Sequence, residues 1–155
     1  KLNLKCKKGQ TLTIKSANGV TIYSQAIEST GSFSKLFDFS ALENGNYKAE
    51  LNKDFEIIVK NFKVENNNVT FLKGDKKVYK PIVRTKGDLL YISKIAFNKK
   101  PLNIIIYYKD EVILSETIQG KDILRRIYKL SETEKGDYRI ILNTQNRSYT
   151  KDFTI

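Results

Sequence analysis

A basic, tyrosine-containing segment holds the residues of this chain that are best suited to binding chemistry. Nine basic and two acidic residues lie between Lys73 and Lys100, in a chain of net charge +11. Lysine and arginine attract carboxylate, sulfate and phosphate groups, and tyrosine rings can stack on sugars or bases. The pattern predicts a candidate anion- or ligand-binding site at Lys76, Lys77, Tyr79, Lys80, Arg84, Lys86 and Tyr91.

The same segment has a second interpretation, in which its lysines only solvate the surface. Lysine outnumbers arginine 23 to 5, whereas specific recognition of carboxylate or phosphate favours the planar arginine fork. Lysines also protect edge strands from aggregation, and the composition favours this second interpretation. The two hypotheses differ in geometry, because a binding site requires the bases to converge on one face beside exposed tyrosines, whereas edge protection scatters them.

Most of the residue types that catalysis and metal binding require are missing. The chain has no histidine and one cysteine, Cys6, which excludes Ser-His and Cys-His nucleophiles, an internal disulfide and a structural zinc site. The neighbouring acids Asp110 and Glu111 fall in a predicted hairpin turn, and Glu132 and Glu134 fall in a loop rather than facing one cleft. We therefore expect no enzyme, no cofactor and no metal.

Short segments with period-two alternation predict strands along the whole chain. Asn18-Gly19 is a strong hairpin signal, and no apolar run approaches the roughly 20 residues that span a bilayer. Seven predicted strands from 78 to 155, with turns at short intervals, are typical of an immunoglobulin-like sandwich. Pro81 lies inside the first of these strands, 78–84, and marks it as an edge strand. We predict an all-β chain made of two tandem immunoglobulin-like antiparallel β-sandwich domains.

The predicted boundaries are a first domain at 1–66, a connector at 67–77 and a second domain at 78–155. The first domain has six predicted strands, one fewer than the second. Its first edge strand lies upstream of Lys1, is absent, or is supplied by residues 69–72, which could fold back. Because the chain begins with lysine rather than methionine, a removed signal peptide is one expectation and a trimmed chain is another.

One turn and the strand after it occur twice in the chain, at positions 91 residues apart. A glycine supplies backbone freedom at the turn, and a tyrosine two residues later begins the next strand. From there its hydroxyl can reach the preceding loop, as in the tyrosine corner of sandwich domains. The recurrence in both copies indicates a structural rather than a catalytic role. The corner residues are Gly45, Tyr47, Gly136 and Tyr138.

These turn signals together resemble a family of bacterial secretion modules. Asn18-Gly19, the turn at 38–47 and the strand at 60–64 are similar to the C-terminal sorting domains of type IX secretion substrates in Bacteroidetes, and to related immunoglobulin- and fibronectin-type modules. The resemblance covers residues 10–64 and, more loosely, 100–155. A sorting domain is normally a single tail on a larger cargo, whereas two such units fill this chain.

The resemblance implies a non-enzymatic protein that is secreted, periplasmic or at the cell surface. Its expected role is structural, adhesive or in protein interaction, with another envelope protein or a surface polysaccharide as partner and no specific nucleic acid. The alternative is a carbohydrate- or polyanion-binding module that uses the basic 73–100 segment.

Overall fold

The alternating segments form antiparallel strands, and the prediction of an all-β fold is confirmed. The computed structural model describes residues 2–35, 38–39 and 41–155. Contacts divide the chain into two compact units, Lys1–Val78 and Tyr79–Ile155. No helix among the described residues is long and apolar enough to cross a membrane.

The first unit is built from two antiparallel sheets. Its described strands are β1 (Leu2–Cys6), β2 (Thr11–Ser16), β3 (Thr21–Ala26), β4 (Gly31–Lys35), β5 (Gly45–Asn52), β6 (Glu56–Glu65), β7 (Asn68–Phe71) and β8 (Lys76–Tyr79). The last residue of β8, Tyr79, already belongs to the second unit. β1 pairs with β4, the other sheet has the order β3-β2-β5-β6-β7, and β8 also pairs with β6. Leu36 and Phe37, which the alternation assigns to the strand after Phe33, and Ser40 in the repeated turn lie outside the described residues.

The second unit has the strand order of an immunoglobulin-like sandwich with three strands facing four. Its strands are β9 (Ile82–Lys86), β10 (Leu89–Ile95), β11 (Leu102–Tyr108), β12 (Glu111–Ile118), β13 (Ile123–Lys129), β14 (Asp137–Thr144) and β15 (Arg147–Thr154). One sheet has the order β13-β10-β9 and the other β12-β11-β14-β15. The pairings β1-β4 and β3-β2-β5-β6 repeat this order in the first unit.

The predicted edge strand at 78–84 is wrong in its extent, because Pro81 divides it. β8 ends at Tyr79 and pairs with β6, whereas β9 begins at Ile82 and pairs with β10. Proline has no N–H to donate to a ladder and restricts the residue before it. The chain therefore leaves one sheet and enters another across Lys80 and Pro81.

Residues 69–72 do not lie where the missing edge strand was expected. In the second unit the first strand, β9, pairs with β10, so the equivalent place in the first unit is beside β1. Instead, β7 pairs with β6, with Val69 opposite Val64 and Phe71 opposite Phe62. The residues predicted as a connector, 67–77, thus contribute strands to the first unit, and the boundaries of independent domains stay a prediction.

Each unit has a core formed by inward-facing side chains of its two sheets. In the first unit Leu2 of one sheet and Ile14 and Phe62 of the other are buried in one cluster. In the second unit Ile92 and Ile104 belong to an equivalent cluster. Burying an aliphatic or aromatic side chain contributes about 1.5–3 kcal/mol, and these clusters hold the sheets face to face.

The two repeated corners have the same hydrogen bond. The Tyr47 hydroxyl donates to the carbonyl of Glu43 at 2.8 Å, and the Tyr138 hydroxyl donates to the carbonyl of Glu134 at 2.7 Å. Each tyrosine therefore ties the start of a strand to the loop before it, while its ring lies in the core.

The glycines of the two corners differ in their backbone φ angle. Gly136 has a φ of 134°, which other residues rarely adopt, whereas Gly45 has a φ of 159°, close to extended backbone. We expect Gly136→Ala to lower the free energy of unfolding of the second unit by about 1–2 kcal/mol. Gly45→Ala is the matched control and should cost less. Urea denaturation of both variants checks this, and equal losses would contradict it.

Candidate functional site

The predicted site residues are divided between the two units. Lys76 and Lys77 lie in β8 beside β6, and Lys77 forms an ion pair with Glu56 at 3.4 Å. The Tyr79 ring packs edge-on against Phe97, with ring centroids 6.1 Å apart. These side chains therefore contribute to edge and packing contacts within their own units.

Arg84, Lys86 and Tyr91 lie together on one face of the second unit. Along β10 the residues Leu90 and Ile92 face the core, so that Tyr91 faces outward from the β13-β10-β9 sheet. Arg84 lies directly opposite Tyr91 on β9, and Ile127 lies opposite it on β13. We call the outward-facing surface of this sheet the cationic face.

The strand register arranges cations and apolar groups in rows across the cationic face. Side chains directly opposite on neighbouring strands lie about 4.5–5.5 Å apart at Cβ. The successive rows, written from β9 through β10 to β13, are Lys86-Leu89-Lys129, Arg84-Tyr91-Ile127 and Ile82-Ser93-Arg125. A shallow depression joins the last two rows, and each of the first two rows places a cation beside an apolar or aromatic group.

Three cations of the cationic face have no acidic partner among the residues that the structure describes. They are Arg84, Lys86 and Arg125. Lys129 differs, because it forms an ion pair with Glu132 at 3.1 Å. Unpaired cations that share one surface produce a positive potential that attracts anionic groups.

Apolar side chains on the cationic face are unusually exposed. The exposed fraction is 63% for Ile127, 44% for Ile123 and 37% for Ile95. Ile95 and Ile123 lie opposite each other on β10 and β13. A group of exposed aliphatic residues on a sheet marks a surface suited to contact with another molecule.

Among the residues that the structure describes, the equivalent face of the first unit is polar. Ser32 and Ser34 on β4 occupy the places of Ile123 and Arg125, which lie 91 residues later in the chain. Both serines are exposed and lie opposite Lys5 and Asn3 of β1. Since the same sandwich forms with serines at these positions, the isoleucine and arginine of the second unit are not required by the fold.

A hydrogen-bonded cluster at the margin of the cationic face binds the guanidinium of Arg126. The Glu116 carboxylate accepts hydrogen bonds from the Tyr128 hydroxyl and from Arg126 Nε, the latter at 2.9 Å. These hydrogen bonds lower the pKa of Glu116, the Tyr128 bond most, and burial together with the carboxylate raises the pKa of Tyr128. Arg126 is thus committed to Glu116 and is not one of the unpaired cations.

Lys94 shows that not every base of the 73–100 segment faces solvent. Its side chain is buried, and its amine donates to the carbonyls of Tyr79 at 2.9 Å and Ile95 at 3.2 Å. Burial lowers the pKa of this amine. Lys94 therefore serves the interior and cannot bind an external anion.

The sequence pattern missed Arg125 and Ile127, which β13 adds to the cationic face. Both lie more than thirty residues after Arg84, outside the contiguous basic segment. The available signal was the pair Arg125-Arg126 in an alternating strand, since arginine is rare in this chain. No cluster of three or more acidic or cysteine side chains placed to hold a metal ion occurs among the described residues.

Comparisons with known proteins give no family for this chain. No protein-family model matches it, and neither does any curated protein. Among solved structures it is similar to the BSP domain of a biofilm associated protein, with 13% identity, a TM-score of 0.34, and coverage of 96% of this chain but only 25% of that one. An amphioxus IgVJ-C2 molecule has 11% identity and a TM-score of 0.24, over 99% of this chain and 94% of that one. Because both TM-scores are low, the immunoglobulin-like fold is assigned from the strand pairing.

Proposed function

We propose that this chain is a non-enzymatic interaction protein with a structural or adhesive role, and that it binds a protein partner through the cationic face of the second unit. The observation that carries the proposal is the row Arg84-Tyr91-Ile127, beside the unpaired Arg125. Arginine and tyrosine are among the residues enriched at the energetic centre of protein interfaces.

The mixture of exposed isoleucines and unpaired arginines favours a protein partner over a purely ionic ligand. Burying aliphatic side chains against other apolar groups stabilises a complex by about 25 cal/mol per Å² of buried apolar surface. Only a partner with apolar side chains of its own can use Ile123 and Ile127 in this way. Carboxylates around its apolar centre would match Arg84 and Arg125.

Binding of an acidic polysaccharide is the second candidate function. The unpaired Arg84, Lys86 and Arg125 could bind uronate or sulfate groups, with the Tyr91 ring beside a sugar. This candidate uses only the cations and the tyrosine, and it leaves the isoleucines without a role.

The setting that we propose is the cell envelope or the exterior of a bacterium. The support for it is the resemblance of residues 10–64 to sorting domains and related modules of secreted proteins. A binding or adhesive role fits that setting.

The test compares wild type with the triple variant Arg84→Ser, Arg125→Ser, Ile127→Ser. One probe is a short capped peptide of alternating isoleucine and glutamate, and the other is polygalacturonate. We expect the triple variant to bind the peptide at least about tenfold more weakly, equivalent to about 1.4 kcal/mol. Polygalacturonate should bind wild type more weakly than the peptide does.

A matched control removes the same charges and one exposed aliphatic residue from the first unit. It combines Lys5→Ser, Lys48→Ser and Val20→Ser, all at exposed positions, and should bind the peptide as wild type does. If the triple variant binds as tightly as this control, the cationic face is not the site. If polygalacturonate binds wild type more tightly than the peptide and alone is lost in the triple variant, the second candidate is correct.

A further inference from the structure

The two units differ at one duplicated sheet edge. β6 of the first unit and β15 of the second are equivalent, since Lys60 and Phe62 have counterparts 91 residues later in Lys151 and Phe153. In the first unit β7 and β8 both pair with β6. Among the described residues, β15 pairs only with β14. The edge that the chain covers itself in the first unit is therefore open in the second.

The open edge leaves an aromatic side chain partly uncovered. Towards the centre of its sheet, each of the two edge phenylalanines stacks on the corner tyrosine of the neighbouring strand. Tyr47 stacks on Phe62 and Tyr138 stacks on Phe153, each pair with ring centroids 5.5 Å apart. On the side away from Tyr47, Phe71 of β7 packs against Phe62 with ring centroids 5.4 Å apart, and Phe62 is fully buried. Phe153 has no such neighbour from an added strand and remains half-buried.

The backbone of β15 is regular along its whole length. β14 and β15 pair in an unbroken antiparallel register of eight residue pairs, from Asp137 opposite Thr154 to Thr144 opposite Arg147. A long regular edge strand without proline or a bulge presents a row of backbone groups to which another strand can add.

From these differences we propose that the open edge of β15 binds an extended segment of an acidic protein partner, which adds as an antiparallel strand. The partner places an aromatic residue opposite Phe153, as Phe71 lies opposite Phe62. It places carboxylates at Lys151 and Arg147. This inference goes beyond the proposed function, because it concerns the other sheet of the second unit and a different surface.

The charge required of the partner follows from the two ion pairs that hold β8 and its preceding turn to β6. Lys60 pairs with Asp75 at 3.1 Å, and Glu56 pairs with Lys77 at 3.4 Å. At the equivalent positions, 91 residues later, Lys151 keeps the positive charge and Arg147 reverses the negative one. The 68–79 segment offers an acid, Asp75, to Lys60 and a base, Lys77, to Glu56. A strand added to β15 instead needs one acid opposite Lys151 and another opposite Arg147.

The same charges exclude a second copy of this chain as the best occupant. Its own 68–79 segment would bring Lys77 against Arg147, and the chain carries a net charge of +11, so two copies repel each other. Lys151 at present donates to the carbonyl of Val83 at 2.9 Å. A carboxylate offers this ammonium a charge-assisted hydrogen bond, which is stronger than the bond to a neutral carbonyl.

The test uses two labelled peptides and the full chain. The first peptide has the sequence of residues 68–79, and the second carries Lys77→Glu. We expect the second to bind the wild-type chain at least about tenfold more tightly by fluorescence anisotropy, with amide shifts along β15 in NMR spectra. A third peptide with Phe71→Ser in addition to Lys77→Glu should lose most of this affinity.

Charge reversal on the protein provides the control. Arg147→Glu should invert the preference, so that the unmodified peptide binds more tightly than the Lys77→Glu peptide. A second charge reversal is independent of the first: the Lys151→Glu chain should prefer a peptide that carries Asp75→Lys over the peptide that keeps Asp75. No binding of any peptide, or a preference that Arg147→Glu and Lys151→Glu both leave unchanged, overturns the inference. Binding of the isoleucine-glutamate peptide to the cationic face is measured on the same variants and should stay at the wild-type level. A failure of strand addition at β15 is therefore distinguishable from a failure of the proposed function.

Discussion

Replacing Tyr138 with alanine is expected to lower the free energy of unfolding of the second unit by about 3–5 kcal/mol. The side chain is 2% exposed, and its ring contacts Phe153 and Tyr108 with centroids 5.5 and 4.9 Å away. Alanine leaves a cavity in the core and also removes the hydrogen bond to Glu134. Urea denaturation, with NMR signals that report each unit, measures the loss.

Conservative variants separate the ring from the hydroxyl. Tyr138→Phe keeps the ring, removes the hydrogen bond at 2.7 Å, and should cost about 1–2 kcal/mol because the Glu134 carbonyl loses its donor. Tyr91→Phe on the cationic face is the control, since no described residue forms a hydrogen bond with its hydroxyl. Its stability should stay within about 0.5 kcal/mol of wild type. A loss at Tyr91→Phe as large as that at Tyr138→Phe would contradict the corner as the cause.

Replacing Phe62 with alanine is expected to cost the first unit about 3–5 kcal/mol, which is more than Phe153→Ala should cost the second unit. Phe62 is fully buried among Phe39, Tyr47 and Phe71. Phe153 stacks on Tyr138 in the same way but is half-buried, so its removal costs about 1–2 kcal/mol. Thermal or urea unfolding of both variants checks the difference.

The comparison of the two phenylalanines also tests the role of β7. Phe71→Ala should weaken the first unit by part of the Phe62 effect, because it exposes one side of that ring. If Phe62→Ala and Phe153→Ala cost the same, the cover provided by β7 does not contribute to stability.

Local patterns in the sequence were sufficient to predict the strands and the duplicated corner. Alternation with period two depends only on residues near in the chain, and the glycine and tyrosine of each corner lie two residues apart. The hydroxyls of Tyr47 and Tyr138 each reach the loop four residues before them, a contact that the local spacing already contains.

Pairings between distant segments were harder to predict. β13 lies beside β10 although more than twenty residues separate them, and no local signal gives the register that brings Ile127 opposite Tyr91. The position of β7 was missed for a related reason. Its residues 69–72 suit an edge strand of either sheet, and the packing of Phe71 on Phe62, which accompanies the pairing with β6, joins residues that only the folded chain brings together.

The division of the chain at Pro81 governs how this protein can be dissected into fragments. A first fragment that ends at residue 66 would lack β7 and β8 and would leave the edge of β6 unpaired. Phe62 would then lose its contact with Phe71. A fragment that ends between Tyr79 and Pro81 keeps every strand that pairs with β6, and the remainder begins immediately before β9. A cut at Lys80 and Pro81 therefore keeps the strand pairing of both units, and it gives up the hydrogen bond from Lys94 to the Tyr79 carbonyl.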